Sequence, residues 1–326
     1  MIEARGLTKR YGAKTAVDGI DFTVAPGRVT GFLGPNGAGK STTMRMIVGL
    51  DRPSAGSVLV NGRPYREHAA PLAEVGALLD AKATHRGRSL RDHLRVIAAT
   101  HRLPRSRVEE VIEVVGLASV ARKRVGGFSL GMGQRVGIAT ALLGDPRTLL
   151  LDEPVNGLDP EGVRWVRDFV RAKAAEGCCV LLSSHLMSEM AQTADHIIVL
   201  GRGRILADAP LDDFLAEARP RVRIESPDSV RFAELLAVRG AAVAVVAGGL
   251  EVEGLEAPAI GALAAESGVV LHALTALTRS LEEAYVAMTA DSVEYSAAQP
   301  LGTPPLGTPP LGTPPLGTPP LEGASR

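Results

Sequence analysis

One stretch constrains this chain more than any other: Gly34-Pro35-Asn36-Gly37-Ala38-Gly39-Lys40-Ser41-Thr42. It satisfies G-x-x-x-x-G-K-[ST], and each fixed position answers a need of a bound triphosphate. The glycines let the backbone curl until successive N–H groups point into one anion-sized nest. Lys40 brings positive charge to the β- and γ-phosphates. The Ser41 hydroxyl suits Mg²⁺, a cation that prefers oxygen. The flanks agree with this reading. Val29–Leu33 is a continuous apolar run, as a buried parallel strand should be. Residues 42–50 carry Met44, Ile47 and Val48 at helical spacing, so a helix N-terminus should face the phosphates.

With 326 residues the chain has room for one large domain or two ordinary ones. Its 45% hydrophobic and 22% charged residues make an ordinary globular composition. Thirty-six basic residues balance 36 acidic ones, so no nucleic acid is expected as the main partner. Only 3% are aromatic, which argues against stacking platforms for single strands. No apolar run approaches the ~18 residues needed to cross a bilayer. The start, Met1-Ile2-Glu3-Ala4-Arg5, lacks the apolar core of a signal peptide. A cytoplasmic protein is expected, and any membrane role would go through a partner. Cys178 and Cys179 are adjacent in an apolar run and read as buried small residues rather than a redox pair.

Residues 2–24 read as short strands, the last of them alternating apolar and polar through Ile20-Asp21-Phe22-Thr23-Val24. Tyr11 lies among them and either stacks on a purine ring or packs locally. Residues 57–62 enter an Asn-Gly turn, and 75–79 form a further strand that ends at Asp80. A carboxylate there either meets Mg²⁺ or water, or serves as a cap or turn residue. Residues 81–127 change character. Ser89-x-x-Asp92 and Ser106-x-x-Glu109 look like capping boxes that open two helices, and Gly116 is placed to stop the second. The insert is basic, from Arg86, Arg88, Arg91 and Arg95 to Arg122-Lys123-Arg124. It is either a solvated face or a face turned toward anionic lipid or an acidic loop.

The α/β pattern returns at 148–151, a buried strand with Asp152-Glu153 at its C-terminal end, where open parallel sheets bind ligands. Asp152 can hold Mg²⁺ through water, and Glu153 can orient or deprotonate an attacking water. Asp159-Pro160 starts the next helix. A strand at 178–182 leads through Ser183-Ser184 to His185, which is either structural or a phosphate contact. Residues 197–200 and 204–207 form a hairpin around Gly201-Arg202-Gly203, and 211–218 a short helix. From 221 to 290 a second, small α+β domain is expected. Its strands fall at 222–224, 243–246, 250–252 and 269–274, and its helices at 229–238, 258–266 and 280–289. Residues 291–326 repeat Leu-Gly-Thr-Pro-Pro and should form a disordered, extended tail, either without a specific role or as a polyproline ligand.

Taken together, residues 1–217 resemble the ATP-binding subunit of an ABC transporter. Beyond the phosphate loop, the resemblance rests on Phe128-Ser129-Leu130-Gly131-Met132-Gly133-Gln134-Arg135. That run is similar to the family's signature and lies between the phosphate loop and Leu149-Leu150-Leu151-Asp152-Glu153-Pro154. The resemblance implies an α/β P-loop NTPase cassette with a mixed parallel core sheet, an antiparallel β subdomain and a helical subdomain at about 81–143. It implies ATP and Mg²⁺ as cofactors. Tyr11 would stack on adenine, with Gly34, Pro35, Asn36, Gly37, Ala38, Gly39, Lys40, Ser41 and Thr42 around the phosphates. Ser41, Asp80 and Asp152 would serve the metal, Glu153 catalysis, and His185 the γ-phosphate. Ser129 and Gly131 would cap the nucleotide of a second copy, with Asp159 in the D-loop that couples the two sites. A separate membrane permease is implied, and with it a peripheral position on the cytoplasmic face of the membrane.

Two departures stand out. Leu130 and Met132 replace Gly and Gln of the usual signature, and Asp80 stands where the family has the Q-loop Gln. Asp80 is shorter and charged, which bears on coupling to the membrane subunit more than on ATP binding. The overall pattern is similar to bacterial exporters of antibiotics and other hydrophobic compounds. The rival is a soluble regulatory, ribosome- or DNA-associated ABC ATPase. The ribosome- and DNA-associated types carry two cassettes or a long coiled-coil insert, and this chain has neither; in the regulatory type the altered Asp80 and signature would leave ATP binding without turnover.

Overall fold

The computed structural model describes residues 1–81, 83–216, 221–277 and 281–289; the repeat-bearing tail expected at 291–326 lies outside the described residues. Two sheets pack around the phosphate loop. The antiparallel one has the order β2-β1-β4, from β1 (Ile2–Tyr11), β2 (Lys14–Val24) and β4 (Ala55–Val60). The other has six strands in the order β5-β6-β7-β3-β8-β9. These are β3 (Val29–Leu33), β5 (Val75–Leu78), β6 (Thr148–Asp152), β7 (Cys179–Ser183), β8 (His196–Gly201) and β9 (Arg204–Pro210). All pair in parallel except β9, which returns antiparallel on β8.

The central strands read as unbroken apolar runs because both faces of the sheet are covered. Leu149 and Leu151 point into one layer and Leu150 into the other. Each buried leucine contributes about 1.5–3 kcal/mol. On the Leu150 side, Ile2, Leu7, Ile20 and Phe22 of the antiparallel sheet meet Phe32, Met44 and Ile47. Residues 2–24 are two long strands rather than the short ones expected. Register shifts between Ala4 and Arg10 break the period-2 alternation that would have announced their length.

Helix α1 (Lys40–Ile47) follows the phosphate loop, and α2 (Pro71–Glu74) is a single turn before β5. The helical subdomain is built on α3 (Leu90–Thr100), α4 (Arg105–Val114) and α5 (Leu130–Leu142). Ser89 caps α3 as expected, its hydroxyl accepting from the Asp92 N–H at 3.1 Å. Ser106 does not cap α4. The helix begins two residues earlier, with Pro104 in the capping position, and the Glu109 carboxylate accepts from Arg91 at 2.7 Å and Arg95 at 3.5 Å instead. Arg107 donates to the Leu142 carbonyl and to Asp145, so part of the basic insert is neutralised within the subdomain itself. Gly116 closes α4 as expected: its N–H bonds Glu113 and the next N–H bonds Ile112.

Helices α6 (Pro160–Ala175) and α7 (Met187–Thr193) cover the Leu149–Leu151 side of the sheet, with α8 (Leu211–Ala216) after β9. The described part of α8 is shorter than the helix expected at 211–218. Cys178 is buried beneath this layer and Cys179 on the opposite face of the sheet. Burial pushes the Cys178 thiol up to about 12 and raises Cys179 as well. The thiolate is the reactive form. In native protein at pH 8, both thiols should therefore resist a thiol-specific disulfide reagent over hours, and both should react once guanidinium unfolds the chain.

The C-terminal α+β unit runs β10 (Arg221–Glu225), α9 (Ser229–Val238), β11 (Ala242–Val246), β12 (Gly249–Glu253), α10 (Ala257–Ser267) and β13 (Ala273–Leu277). The sheet order β11-β12-β10-β13 is all antiparallel, a ferredoxin-like β-α-β-β-α-β arrangement. Its core is its own, with Phe232, Leu236, Ile260, Val222 and Val252 at the centre. Val269 belongs to that core but precedes the last strand, which starts four residues later than the expected 269. Helix α11 (Leu281–Thr289) departs from its expected place in this unit. Its Leu281 and Ala284 pack into the main core beside α7 and α8.

Candidate nucleotide site

A cleft of about 720 Å³ opens at the C-terminal edge of the parallel sheet, a volume suited to a nucleotide. The phosphate loop forms its floor. Gly34 (φ +155°) and Gly39 (φ +107°) admit no side chain: a Cβ would lie 2.7 Å from the Leu200 carbonyl at the first and 2.6 Å from the Ala16 carbonyl at the second. Closing the loop against these two carbonyls points the N-terminus of α1 at the cleft. Lys40 is 8% exposed, and its ammonium donates to the Gly34 and Pro35 carbonyls at 2.5 and 3.3 Å. Burial lowers its pKa, and the nearby Glu153 and Asp152 carboxylates work against that shift.

A chain of hydrogen bonds joins the loop to the strand ends. Ser41 Oγ donates to Asp152 Oδ2 at 2.7 Å, and Ser183 Oγ donates to Asp152 Oδ1 at 2.5 Å. The same Ser183 oxygen accepts the Glu153 N–H at 2.9 Å. Glu153 Oε2 lies 2.7 Å from His185 Nδ1 and accepts the His185 backbone N–H at 3.3 Å. Against a carboxylate, Nδ1 must carry the proton. Glu153 itself has φ +50°, an uncommon conformation for a residue with a side chain.

Tyr11, half exposed, lines the mouth of the cleft, and its hydroxyl donates to Asp51 Oδ2 at 3.0 Å. Arg45 donates to the same oxygen at 2.8 Å and holds the Asp51 carboxyl below its ordinary range. Asp80 lines the cleft together with Pro35, Asn36, Gly37, Ala38, Gly39, Ser41 and Thr42. Gly34 lies beneath them and acts through its carbonyl on Lys40.

Ser129, Gly131 and Asp159 are not part of this cleft's lining. Ser129 caps α5, accepting from the Met132 N–H at 3.2 Å, and Asp159 caps α6 through the Gly162 N–H at 2.8 Å. Leu130 and Gln134 of the same segment do reach the cleft. Gln134, Ser183 and Asp51 were given no role from sequence. Their partners are distant in the chain, and no spacing rule connects them.

Ser41 and Asp152 offer hard oxygen donors 2.7 Å apart beside the phosphate loop, a donor set that fits Mg²⁺. Among the described residues no group of three or more His, Cys, Asp or Glu side chains forms a cage of its own. A cation here would share its ligands with phosphate and water, as Mg²⁺ usually does.

Fold and site together define a P-loop nucleotide hydrolase of the ATP-binding-cassette type. Residues 17–156 match the ABC transporter family, and residues 220–282 match a domain of unknown function, DUF8746. The chain is 33% identical over 304 residues to an uncharacterized ABC transporter ATP-binding protein, YhcH of Bacillus subtilis, spanning 90% of this chain and 97% of that one. It is 36% identical over 233 residues to the bacitracin transport ATP-binding protein BcrA of Bacillus licheniformis, 70% of this chain and 76% of that one. A solved ATP-binding subunit of an ABC transporter superposes with a TM-score of 0.61 at 28% identity, over 67% of this chain and 92% of that one. The chain belongs to the ABC transporter ATP-binding proteins, and it is an ATPase subunit of a transporter. Nothing in these relatives favours the regulatory, ribosome- or DNA-associated alternative. Among the described residues no helix is long and apolar enough to cross a membrane.

Proposed function

We propose that two copies of this chain close around ATP and Mg²⁺ and drive a separate membrane permease that exports an antibiotic-like compound. The observation that carries the chemistry is the hydrogen-bonded chain from Ser41 through Asp152 and Ser183 to Glu153 and His185. Lys40 and the loop N–H groups hold the phosphates. Ser41 and Asp152 hold Mg²⁺, with Asp80 on the same wall. When bound, the ion offsets the charge that builds on the transferred phosphoryl oxygens. Glu153 orients the attacking water and takes its proton, while His185 fixes one carboxylate oxygen and reaches the γ-phosphate. No covalent intermediate is needed, so catalysis rests on positioning and electrostatics.

Ser129 and Gly131 do not line their own chain's cleft, which suits capping of the partner subunit's nucleotide, with Asp159 alongside. Residues 1–217 are the engine, bound to the cytoplasmic face of the membrane through the permease. Residues 221–277 are an accessory domain. The export reading leans on the similarity to the bacitracin transport protein.

Tyr11→Ala should weaken ATP binding about fivefold, equivalent to about 1 kcal/mol of stacking at a half-exposed site. Tyr11→Phe keeps the ring and should stay within twofold in the same titration calorimetry. Export is tested by expressing the chain with a candidate membrane permease from the same organism, over a panel of peptide antibiotics that includes bacitracin. Tolerance should rise with the native chain and not with Lys40→Met; equal tolerance with both would reject the export reading.

A further inference from the structure

The backbone at Glu153 is gripped from both sides by side chains of different elements. Its N–H donates to Ser183 Oγ at 2.9 Å, at the end of β7. Its carbonyl accepts from Gln134 Nε2 of α5 at 3.3 Å. The same Nε2 donates to the Asn156 carbonyl at 3.3 Å. Glu153 and Asn156 are the two ends of one turn, closed by the Asn156 N–H on the Glu153 carbonyl at 3.2 Å. Gln134 therefore staples that turn to α5.

The staple has something to hold. A non-glycine residue in the left-handed region costs roughly 1–2 kcal/mol, and it stays there only when its surroundings over-determine it. Glu153 is such a residue. The orientation of the Gln134 amide is not arbitrary. Two carbonyls face its nitrogen, and a flipped amide would set oxygen against both. The residue is 6% exposed, and its Oε1 has no protein partner. A buried, half-satisfied amide is unfavourable by about 1–3 kcal/mol. Ile138 and Ala141, four and seven residues further on and likewise buried, show that this helix face otherwise takes apolar side chains. The amide makes physical sense through what its two donor bonds fix.

A second contact joins the same two segments. Leu130, in the first turn of α5, covers Gly157 so closely that a Cβ there would lie 2.2 Å from its Cδ2. Leu158 in turn lies over Gly131, with a corresponding distance of 3.1 Å. The first turns of α5 and the segment 153–159 thus interlock through packing at one end and hydrogen bonds at the other.

We infer that Gln134 is a positioning residue that couples the tilt of the signature helix α5 to the geometry of Glu153 within the same chain. Ser129 caps that helix, so a force applied at Ser129 is carried along a rigid rod to the Gln134 amide. From there it passes to the peptide that aims the carboxylate. A nucleotide seated against Ser129 by the partner subunit would thereby set the carboxylate over the first chain's own ATP. The inference rests on the reading of Glu153 as the residue that activates water.

The test compares Gln134→Leu, Gln134→Glu and Glu153→Gln in the full chain. Gln134→Leu should lower kcat about 10- to 100-fold, the scale expected of a misplacement near 1 Å. Its ATP Kd by equilibrium dialysis should stay within threefold of native. In Gln134→Glu the new carboxylate faces two carbonyls, and on protonation it regains one donor. Its kcat relative to native should therefore recover as pH falls from 8 to 6, while the relative kcat of Gln134→Leu stays flat. A native kcat in Gln134→Leu would overturn the inference. So would a parallel loss of kcat and ATP affinity, or a flat ratio for Gln134→Glu. If Glu153→Gln is inactive while Gln134→Leu is native, only the coupling fails. If Glu153→Gln turns over normally, the reading of Glu153 fails and the coupling with it.

Discussion

Glu153→Gln is expected to bind ATP with native affinity while its turnover falls by about 10²- to 10⁴-fold, the usual contribution of a positioned general base. The substitution is nearly isosteric, and the contacts that place the residue survive it. The Ser183 hydroxyl bonds the backbone N–H of residue 153, not its side chain. The Gln134 amide bonds its carbonyl. A glutamine oxygen can still accept from His185 Nδ1–H and from the His185 backbone N–H. What disappears is the charge and the ability to take a proton from water. The closed, ATP-bound dimer should therefore accumulate, seen as an ATP-dependent shift to twice the mass in size-exclusion chromatography with light scattering. A variant that hydrolyses ATP at the native rate, or that fails to bind ATP, would remove Glu153 from this role.

The phosphate loop, the apolar strands and the acidic pair at the end of β6 were legible because each is local. A few adjacent residues state both the structure and the chemistry, as in Gly39-Lys40-Ser41 or Leu151-Asp152-Glu153. The cap at Ser89 was legible for the same reason. The one at Ser106 was not, because Pro104 with its extended backbone let the helix begin at Arg105. The long strands β1 and β2 were hidden by register shifts that disturb the alternation. Helix α11 could not be placed from its own pattern. An apolar stripe says that a helix packs, and only the fold says that Leu281 packs beside α7 and α8.

The side chains that brace these motif residues share one property. Ser183 meets Asp152, Gln134 meets Glu153, and Asp51 meets Tyr11 across the fold, and none of these partners is a neighbour in sequence. Each of these side chains holds a motif residue in place, and such a role exists only once the strand order β6-β7-β3 and the docking of α5 have been established.

Lys40→Met should separate stability from binding. At neutral pH the buried ammonium carries a desolvation cost, seen in its lowered pKa, and gains back hydrogen bonds to the Gly34 and Pro35 carbonyls. Methionine removes both, so the melting temperature at pH 7 should change by no more than about 2 °C, under roughly 1 kcal/mol in a chain of this size. ATP binding has no such compensation. The variant loses charge-assisted bonds to phosphate worth about 1.5–3 kcal/mol, which is about a 10- to 150-fold rise in Kd. The pH dependence supplies an independent check. A lysine whose folded pKa lies below the unfolded value of 10.5 binds fewer protons in the folded state than in the unfolded one between those two values. Native stability should therefore receive a contribution from Lys40 that rises with pH through that window, is complete above 10.5 and is lost as pH falls through the lowered pKa. Lys40→Met has no such contribution. Its melting temperature relative to the native chain should decline as pH is raised from 7 toward 10.5. A constant difference across that range would mean that Lys40 is solvated in solution and that its charge, when ATP is absent, is not held between the loop carbonyls.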